Sequence, residues 1–367
     1  MKKCIAWLLL AATMLTLCGC STAAVPSETA AESTGVEETT AAAEETTAAP
    51  TEAATQEEHL FVKVSSITFS LVGESEDIYL GLVPRELVTW ESEDPSVISV
   101  ENGVLTANGV GTTTVRASYE DQLVEITAGC LAATQEELSA LDSKVRSEPK
   151  RLPPQVILEE PCSSFDNAAI VGDSITYFLM QWESKTDYLG NMLFLARGGV
   201  SMNGFVRRFK NIYYQGREAV LEEAIGKSGV ERVYFLMGSN DISSSTQRPY
   251  LKENWVTLLD RIREKSPEVQ IVLLSNIPLY GSDQDAKNTD FTDYNQRIAE
   301  YNVWLKQFAE ENNCLYLDLN YYVQDHNGRM PEIYSQGSYH MNEAGCLNWM
   351  KILRYYAQYE LEGGKLA

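Results

Sequence analysis

From Ser163 onward, five short apolar runs alternate with longer amphipathic ones, a pattern that a parallel sheet covered by helices satisfies. The runs at residues 168–171, 192–196, 232–237, 269–275 and 315–319 read as strands. Helices are expected at about 176–182, 217–226, 251–264, 294–312 and 343–359. The fold class is therefore α/β. In an open sheet of this kind a ligand binds outside the carboxyl ends of the strands. The residues that directly follow each strand are the ones to inspect.

After the first strand comes Gly172-Asp173-Ser174, after the second Arg197-Gly198-Gly199-Val200-Ser201, and after the third Gly238-Ser239-Asn240-Asp241. Before the last helix stands Ser338-Tyr339-His340-Met341-Asn342. Any one block is an ordinary turn or helix cap. Together, in this order, they resemble the SGNH or GDSL-type hydrolases over residues 165–360. That resemblance implies a flavodoxin-like sheet and four functional residues. Ser174 would be the nucleophile, with its own backbone N–H at the start of a helix donating to the oxyanion. Asn240 would add a side-chain donor. The second block would give a backbone donor, taken here as Gly199, with Gly198 and Ser201 equally able to serve. Asp173 and Asp241 are expected to tie neighbouring loops together.

The chain has three histidines. His59 ends a polar stretch and His326 lies in Gln324-Asp-His-Asn-Gly, which reads as a surface turn. His340, in the last block of the resemblance, is left as the general base. Relatives usually carry Asp three residues before this His, to orient the imidazole. Here that position is Gly337. Three explanations stand: a Ser174–His340 dyad with the ring held by a backbone carbonyl; orientation by Gln336, Ser338 or Glu332; or a pocket that binds without catalysing. The implied chemistry is hydrolysis of a small ester with no metal or organic cofactor. Tyr177, Phe178 and Trp182 are candidates for stacking on a sugar or for packing.

Between residues 59 and 132, runs rich in Val, Ile and Thr at 64–69, 77–80, 88–90, 97–100, 112–117 and 123–127 predict a small β-sandwich. The stretch from Trp90 to Val115, with Gly103, Gly109 and Gly111 in turns, resembles the bacterial immunoglobulin-like group 2 domain. The resemblance implies a spacer or adhesion module. Residues 133–163 hold Pro149, Pro153, Pro154 and Pro161 and are expected to form a semi-rigid linker. The hydrolase-like unit then spans 164–362.

The N-terminus reads as an export signal, with Lys2 and Lys3 ahead of an apolar run. It ends Leu17-Cys18-Gly19-Cys20, which resembles a bacterial lipobox and implies lipidation of Cys20, an outward-facing membrane anchor and loss of residues 1–20. The alternative is a secreted protein cut near Ala23-Ala24. Residues 21–58, about three quarters Thr, Ala and Glu, are too poor in bulky apolar groups to offset ordering entropy and are expected to be a disordered tether. Of the net −23, two early lysines and nine tether glutamates leave −16 for the rest, so nucleic acid is excluded as a partner. Cys130, Cys162, Cys314 and Cys346 allow three disulfide pairings, none of them favoured. The expected protein is a monomeric surface esterase acting on an acylated carbohydrate, with an O-acetyl group as first choice. A lipid acylhydrolase, or an adhesion protein with an inactive fold, are the alternatives.

Overall fold

The computed structural model describes residues 59–242, 248–281 and 289–366. The signal-like segment, Cys20 and the Thr/Ala/Glu stretch lie outside the described residues.

The N-terminal part is all-β. Strands β1 (Ser66–Leu71), β2 (Ser75–Asp77), β3 (Thr89–Ser92), β4 (Ile98–Glu101), β5 (Val104–Ala107), β6 (Gly111–Tyr119) and β7 (Gln122–Ala132) form it. Short helices α1 (Gln135–Ala140) and α2 (Ser143–Arg146) lead to strand β8 (Arg151–Leu152). One sheet has the order β3-β6-β7-β1-β8 and the other β2-β5-β4. Alternate residues point inward, as a half-buried strand requires. Ile67, Phe69, Ile78, Ile98, Leu105, Val115 and Ile126 are all buried in one core cluster.

The rest is a five-stranded parallel sheet. Its strands are β9 (Ala168–Gly172), β10 (Leu193–Ala196), β13 (Arg232–Leu236), β14 (Gln270–Leu274) and β15 (Leu315–Leu317), after a hairpin of β11 (Ile212–Tyr214) and β12 (Arg217–Ala219) is counted between them. The order β10-β9-β13-β14-β15 is doubly wound, and every neighbouring pair is parallel. Helices α3 (Ser174–Thr186), α4 (Met202–Val206), α5 (Leu221–Ser228), α6 (Arg248–Lys265), α7 (Thr289–Glu311) and α8 (Glu343–Leu361) cover it, and a second hairpin pairs β16 (Ser335–Gln336) with β17 (His340–Met341). Ala168 and Ile170 of β9 face one core, with Trp349 of α8, while Ala169 and Val171 face the other, with Trp255 of α6. Burial on both faces explains why these strands read as unbroken apolar runs. The helix expected from 217 starts only at Leu221, because Gln215 and Gly216 take positive φ (50° and 74°) and turn the preceding residues into a hairpin.

The expected linker is built into the fold. β8 pairs with β1, and Lys150 N–H donates to Gln324 O at 2.9 Å. The guanidinium of Arg151 pairs with Glu76 and lies 4.3 Å from the Tyr321 ring centroid. Val62 N–H donates to the Tyr355 hydroxyl at 2.9 Å, Tyr322 donates to Lys63 O at 2.9 Å, and Tyr359 donates to Leu80 O at 3.1 Å. Phe61 stands edge-on to Tyr355 and Tyr359, at 5.6 and 5.3 Å between centroids. The β layer and the α/β layer thus share one core, within one compact unit, Thr55–Ala367. Among the described residues the cysteines, Cys130, Cys162, Cys314 and Cys346, are free thiols, Cys130 and Cys346 buried.

His326 is part of this junction. It does sit in a turn, but the turn packs on β1, and Nδ1 lies 3.0 Å from Ser70 Oγ. Burial, then the charges of Lys150 and Arg151, lower its pKa to about 4. A free imidazole titrates near 6.5, so on acidification the unfolded chain takes up this proton first. The contribution is complete above about pH 6.5 and is lost as pH falls from there toward 4, by up to about 2 kcal/mol between pH 7.5 and 4.5. Buried Asp325 next door is shifted upward by burial and acts in the opposite sense. The difference between parent and His326→Gln melts therefore isolates the histidine: the variant should lose less stability over this pH range, and equal losses would refute the assignment.

Candidate active site

Ser174 is placed by its neighbours. The helix cap is Asp173, whose Oδ1 accepts from Ile175 N–H at 2.9 Å, leaving Ser174 at the first helical position. Gly172 can only be glycine, because a Cβ there would stand 1.9 Å from Thr176 Oγ1 and 3.1 Å from Leu236 O. The strand thus passes straight into the helix with no side chain in the way, and the Ser174 N–H is one of the unpaired donors at a helix start.

Asp173 also fixes the third block. Its Oδ2 accepts from the Ser239 hydroxyl and from Asn240 Nδ2 at 3.2 Å, and Asn240 Nδ2 donates as well to Val200 O at 2.9 Å. Asp241 Oδ2 accepts from Met202 N–H at 3.0 Å, which ties the second block to the third. Burial shifts both carboxyls upward, while the bonds from Ser239 and Ile175 to Asp173, and from Met202 to Asp241, act in the opposite direction. These aspartates hold loops. The Tyr294 hydroxyl, pushed up to about 12 by burial, donates to Ser239 O.

His340 opens β17, one turn before α8, which Asn342 caps by accepting from Gly345 N–H at 3.1 Å. Its Nε2 lies 3.0 Å from Ser174 Oγ. Among the described residues Nδ1 has no hydrogen-bond partner. Gln336 pairs with His340 across the hairpin through backbone only, Ser338 O accepts from Tyr280 N–H, and Glu332 lines a separate cavity with Arg329. Gly337 occupies the turn at φ +69°, a left-handed conformation that strains most side chains. What does hold the ring is Phe178, stacked on it at 4.4 Å between centroids and 24° between planes. Phe178 is one helical turn beyond Ser174, so α3 carries both Ser174 and the plate behind His340. Of the other two aromatic candidates, Tyr177 is exposed, and Trp182 packs on the core with Lys185 over its ring at 3.9 Å.

Ser174, Asn240 and His340 meet in one cavity of about 520 Å³, with Ile242, Ile277, Leu279 and Ile298 as apolar wall and Tyr294, Arg297 and Tyr339 as polar wall. Gly199 (φ +75°) is not in that wall. Its neighbour Gly198 faces the nucleophile, since a Cβ at Gly198 would stand 3.9 Å from Ser174 Cβ. Residues 170–346 match the model of the GDSL-like Lipase/Acylhydrolase family. They form a GDSL-type acylhydrolase domain. The domain is a serine ester hydrolase, and a serine and a histidine stand in direct contact in its cavity. Among solved structures, the chain is similar to a GDSL-like lipase from Bacteroides thetaiotaomicron, at 13% identity over 55% of this chain and 91% of that one, TM-score 0.43. It is also similar to a catalytic mutant of an acetylxylan esterase from Geobacillus stearothermophilus, at 19% identity over 53% and 93%, TM-score 0.31. A third is the C-terminal catalytic domain of peptidoglycan O-acetyltransferase A from Streptococcus pneumoniae, at 13% over 55% and 97%, TM-score 0.36. No curated protein matches the chain.

The stack makes a prediction for the acylhydrolase domain. An aromatic face against an imidazole that becomes cationic contributes about 0.5–2 kcal/mol, so Phe178→Leu should lower kcat about 3- to 30-fold. Phe178→Tyr should restore most of it, with little change in KM for either variant. Steady-state kinetics on 4-nitrophenyl acetate across pH 5–9, with thermal melts of both variants beside them, distinguishes this from a packing defect, which would lower the melting temperature of Phe178→Leu along with its kcat.

Proposed function

We propose that the protein is a surface esterase that removes a small acyl group, an O-acetyl group first, from a glycan through a Ser174–His340 dyad. The reading is carried by the 3.0 Å contact between Ser174 Oγ and His340 Nε2 at the wall of the cavity. Ser174 Oγ attacks the ester carbonyl as its proton passes to His340 Nε2. The oxyanion forms between the backbone N–H of Ser174, a backbone N–H of the second block at Gly199 or at Gly198, which stands nearer Ser174, and the side chain of Asn240. Asn240 Nδ2 has both hydrogens in use, and the 3.2 Å bond to Asp173 is the weaker one for an oxyanion to replace. His340 then protonates the leaving alcohol, and water repeats the sequence on the acyl-enzyme.

A dyad suffices for this chemistry. Loss of the orienting Asp costs serine proteases about 10⁴-fold in kcat, through the wrong tautomer of a ring whose position is unchanged. Here the Phe178 stack fixes the plane of the ring and not its tautomer, and an oxygen ester has an easier leaving group than a peptide. The apolar wall suits a short acyl chain and the tyrosines suit a sugar face. The β layer is a bacterial immunoglobulin-like group 2 module. The N-terminal segment is a lipoprotein signal that leaves Cys20 acylated, with the enzyme tethered by residues 21–58 outside the cell membrane. Acetate release from acetylated polysaccharides by the full chain, lost in Ser174→Ala, tests the reading. Faster cleavage of long-chain lipid esters would replace it with a lipid acylhydrolase.

A further inference from the structure

The catalytic cavity holds a cation that ester hydrolysis does not use. Arg297, on α7, lines the cavity that contains Ser174, Asn240 and His340. Its Nε is buried with no hydrogen-bond partner, and among the described residues its guanidinium enters no ion pair. It lies 5.5 Å from the centroid of the Tyr294 ring. Other arginines behave differently: Arg85 is 2.8 Å from Asp77, Arg116 is 2.8 Å from Glu125, Arg208 is 2.9 Å from Glu222 and Arg232 is 2.7 Å from Glu360. With 52 Asp and Glu against 29 Lys and Arg, carboxylates are abundant for pairing. A guanidinium with no carboxylate partner among the described residues, and with Nε withdrawn from water, has an unmet demand for an oxyanion.

We propose that Arg297 is a specificity-determining residue that binds a carboxylate on the substrate, so that the cavity selects esters of acidic sugars. This rests on the glycan esterase reading above and narrows it. The guanidinium fork matches a carboxylate in a bidentate pair. Tyr339, 53% exposed, and Tyr294 line the same cavity and offer aromatic faces of the kind on which a pyranose ring packs. The ester to be cleaved then lies toward Ser174 and the carboxylate toward α7. A neutral sugar ester would leave the guanidinium unpaired, and a site built for a polar partner discriminates strongly against an analogue that lacks it.

The test compares the full chain on two matched substrates, an O-acetylated methyl glucuronoside and the corresponding O-acetylated methyl glucoside, with 4-nitrophenyl acetate and lysophosphatidylcholine alongside. Wild type should favour the glucuronoside in kcat/KM by about 10- to 100-fold, the worth of a charge-assisted pair. Arg297→Gln should bring that ratio to within about 3-fold, and Arg297→Lys, which keeps the charge but not the fork, should fall between them. A wild-type ratio near one, an unchanged ratio in a folded Arg297→Gln, or faster cleavage of lysophosphatidylcholine would overturn the proposal. So would cleavage of 4-nitrophenyl acetate with both sugar esters untouched, which leaves ester hydrolysis standing. No hydrolysis of any of the four would instead overturn the esterase reading on which the proposal rests.

Discussion

Ser174→Ala is expected to lower kcat on 4-nitrophenyl acetate by about 10⁴- to 10⁶-fold, with His340→Ala close behind, because the two act as one unit. In the proposed mechanism Oγ forms the bond to the acyl carbon, and Nε2 at 3.0 Å takes its proton. The double variant should be no worse than the more damaged single one, since removing either partner already abolishes the attack. Residual activity in both singles should remain above the rate in water through the oxyanion donors, which neither change removes. Folding should be little affected. Stopped assays with enzyme at substrate-like concentration read losses of this size, and a loss smaller than about 100-fold in Ser174→Ala would assign the nucleophile elsewhere.

A protein cut to begin at residue 164 is expected not to keep its fold. The cut removes Phe61, Val62, Lys63 and Leu80, and so strips these partners from Tyr322, Tyr355 and Tyr359. A buried tyrosine covers about 200 Å², so three that each expose half of it lose about 7 kcal/mol at ~25 cal/mol per Å². That is comparable to the whole stability of an ordinary domain, about 5–15 kcal/mol. Uncovered tyrosine hydroxyls regain water, which offsets little of the apolar term. Circular dichroism melts of the 164–367 fragment should show no cooperative transition, or one far below that of a protein beginning at residue 59. A melt within a few degrees would show that the β layer is dispensable for stability. The β layer covers one face of α8.

The parts of the site that lie within a few residues of a strand end were legible in the sequence. Gly172-Asp173-Ser174 and Gly238-Ser239-Asn240 stand where apolar runs stop, and the parallel sheet makes those stops adjacent in space, while His340 was legible as the histidine just before the last helix. Phe178 was legible only as an aromatic at helical spacing, which serves packing as well as a site. That it backs His340 depends on where the β16–β17 hairpin comes down, 162 residues later in the chain, and spacing along one helix carries nothing of that. Arg297 was hidden for the same reason, as one charge among many on an amphipathic helix. The junction between layers was missed because Tyr355, Tyr356 and Tyr359 of α8 read as an ordinary buried face and the clustered prolines read as a spacer. Those prolines fix φ without forbidding a two-residue strand at Arg151–Leu152.

The activated serine is best tested by covalent capture. The protein from residue 59 onward is treated with a 4-nitrophenyl phosphonate, and its intact mass and peptide map are recorded beside those of Ser174→Ala and His340→Ala. The expected result is a single adduct at Ser174, absent in Ser174→Ala and formed far more slowly in His340→Ala. An unmodified Ser174 in folded protein, or labelling at Ser174 that is as fast without His340, would contradict a nucleophile activated by that histidine.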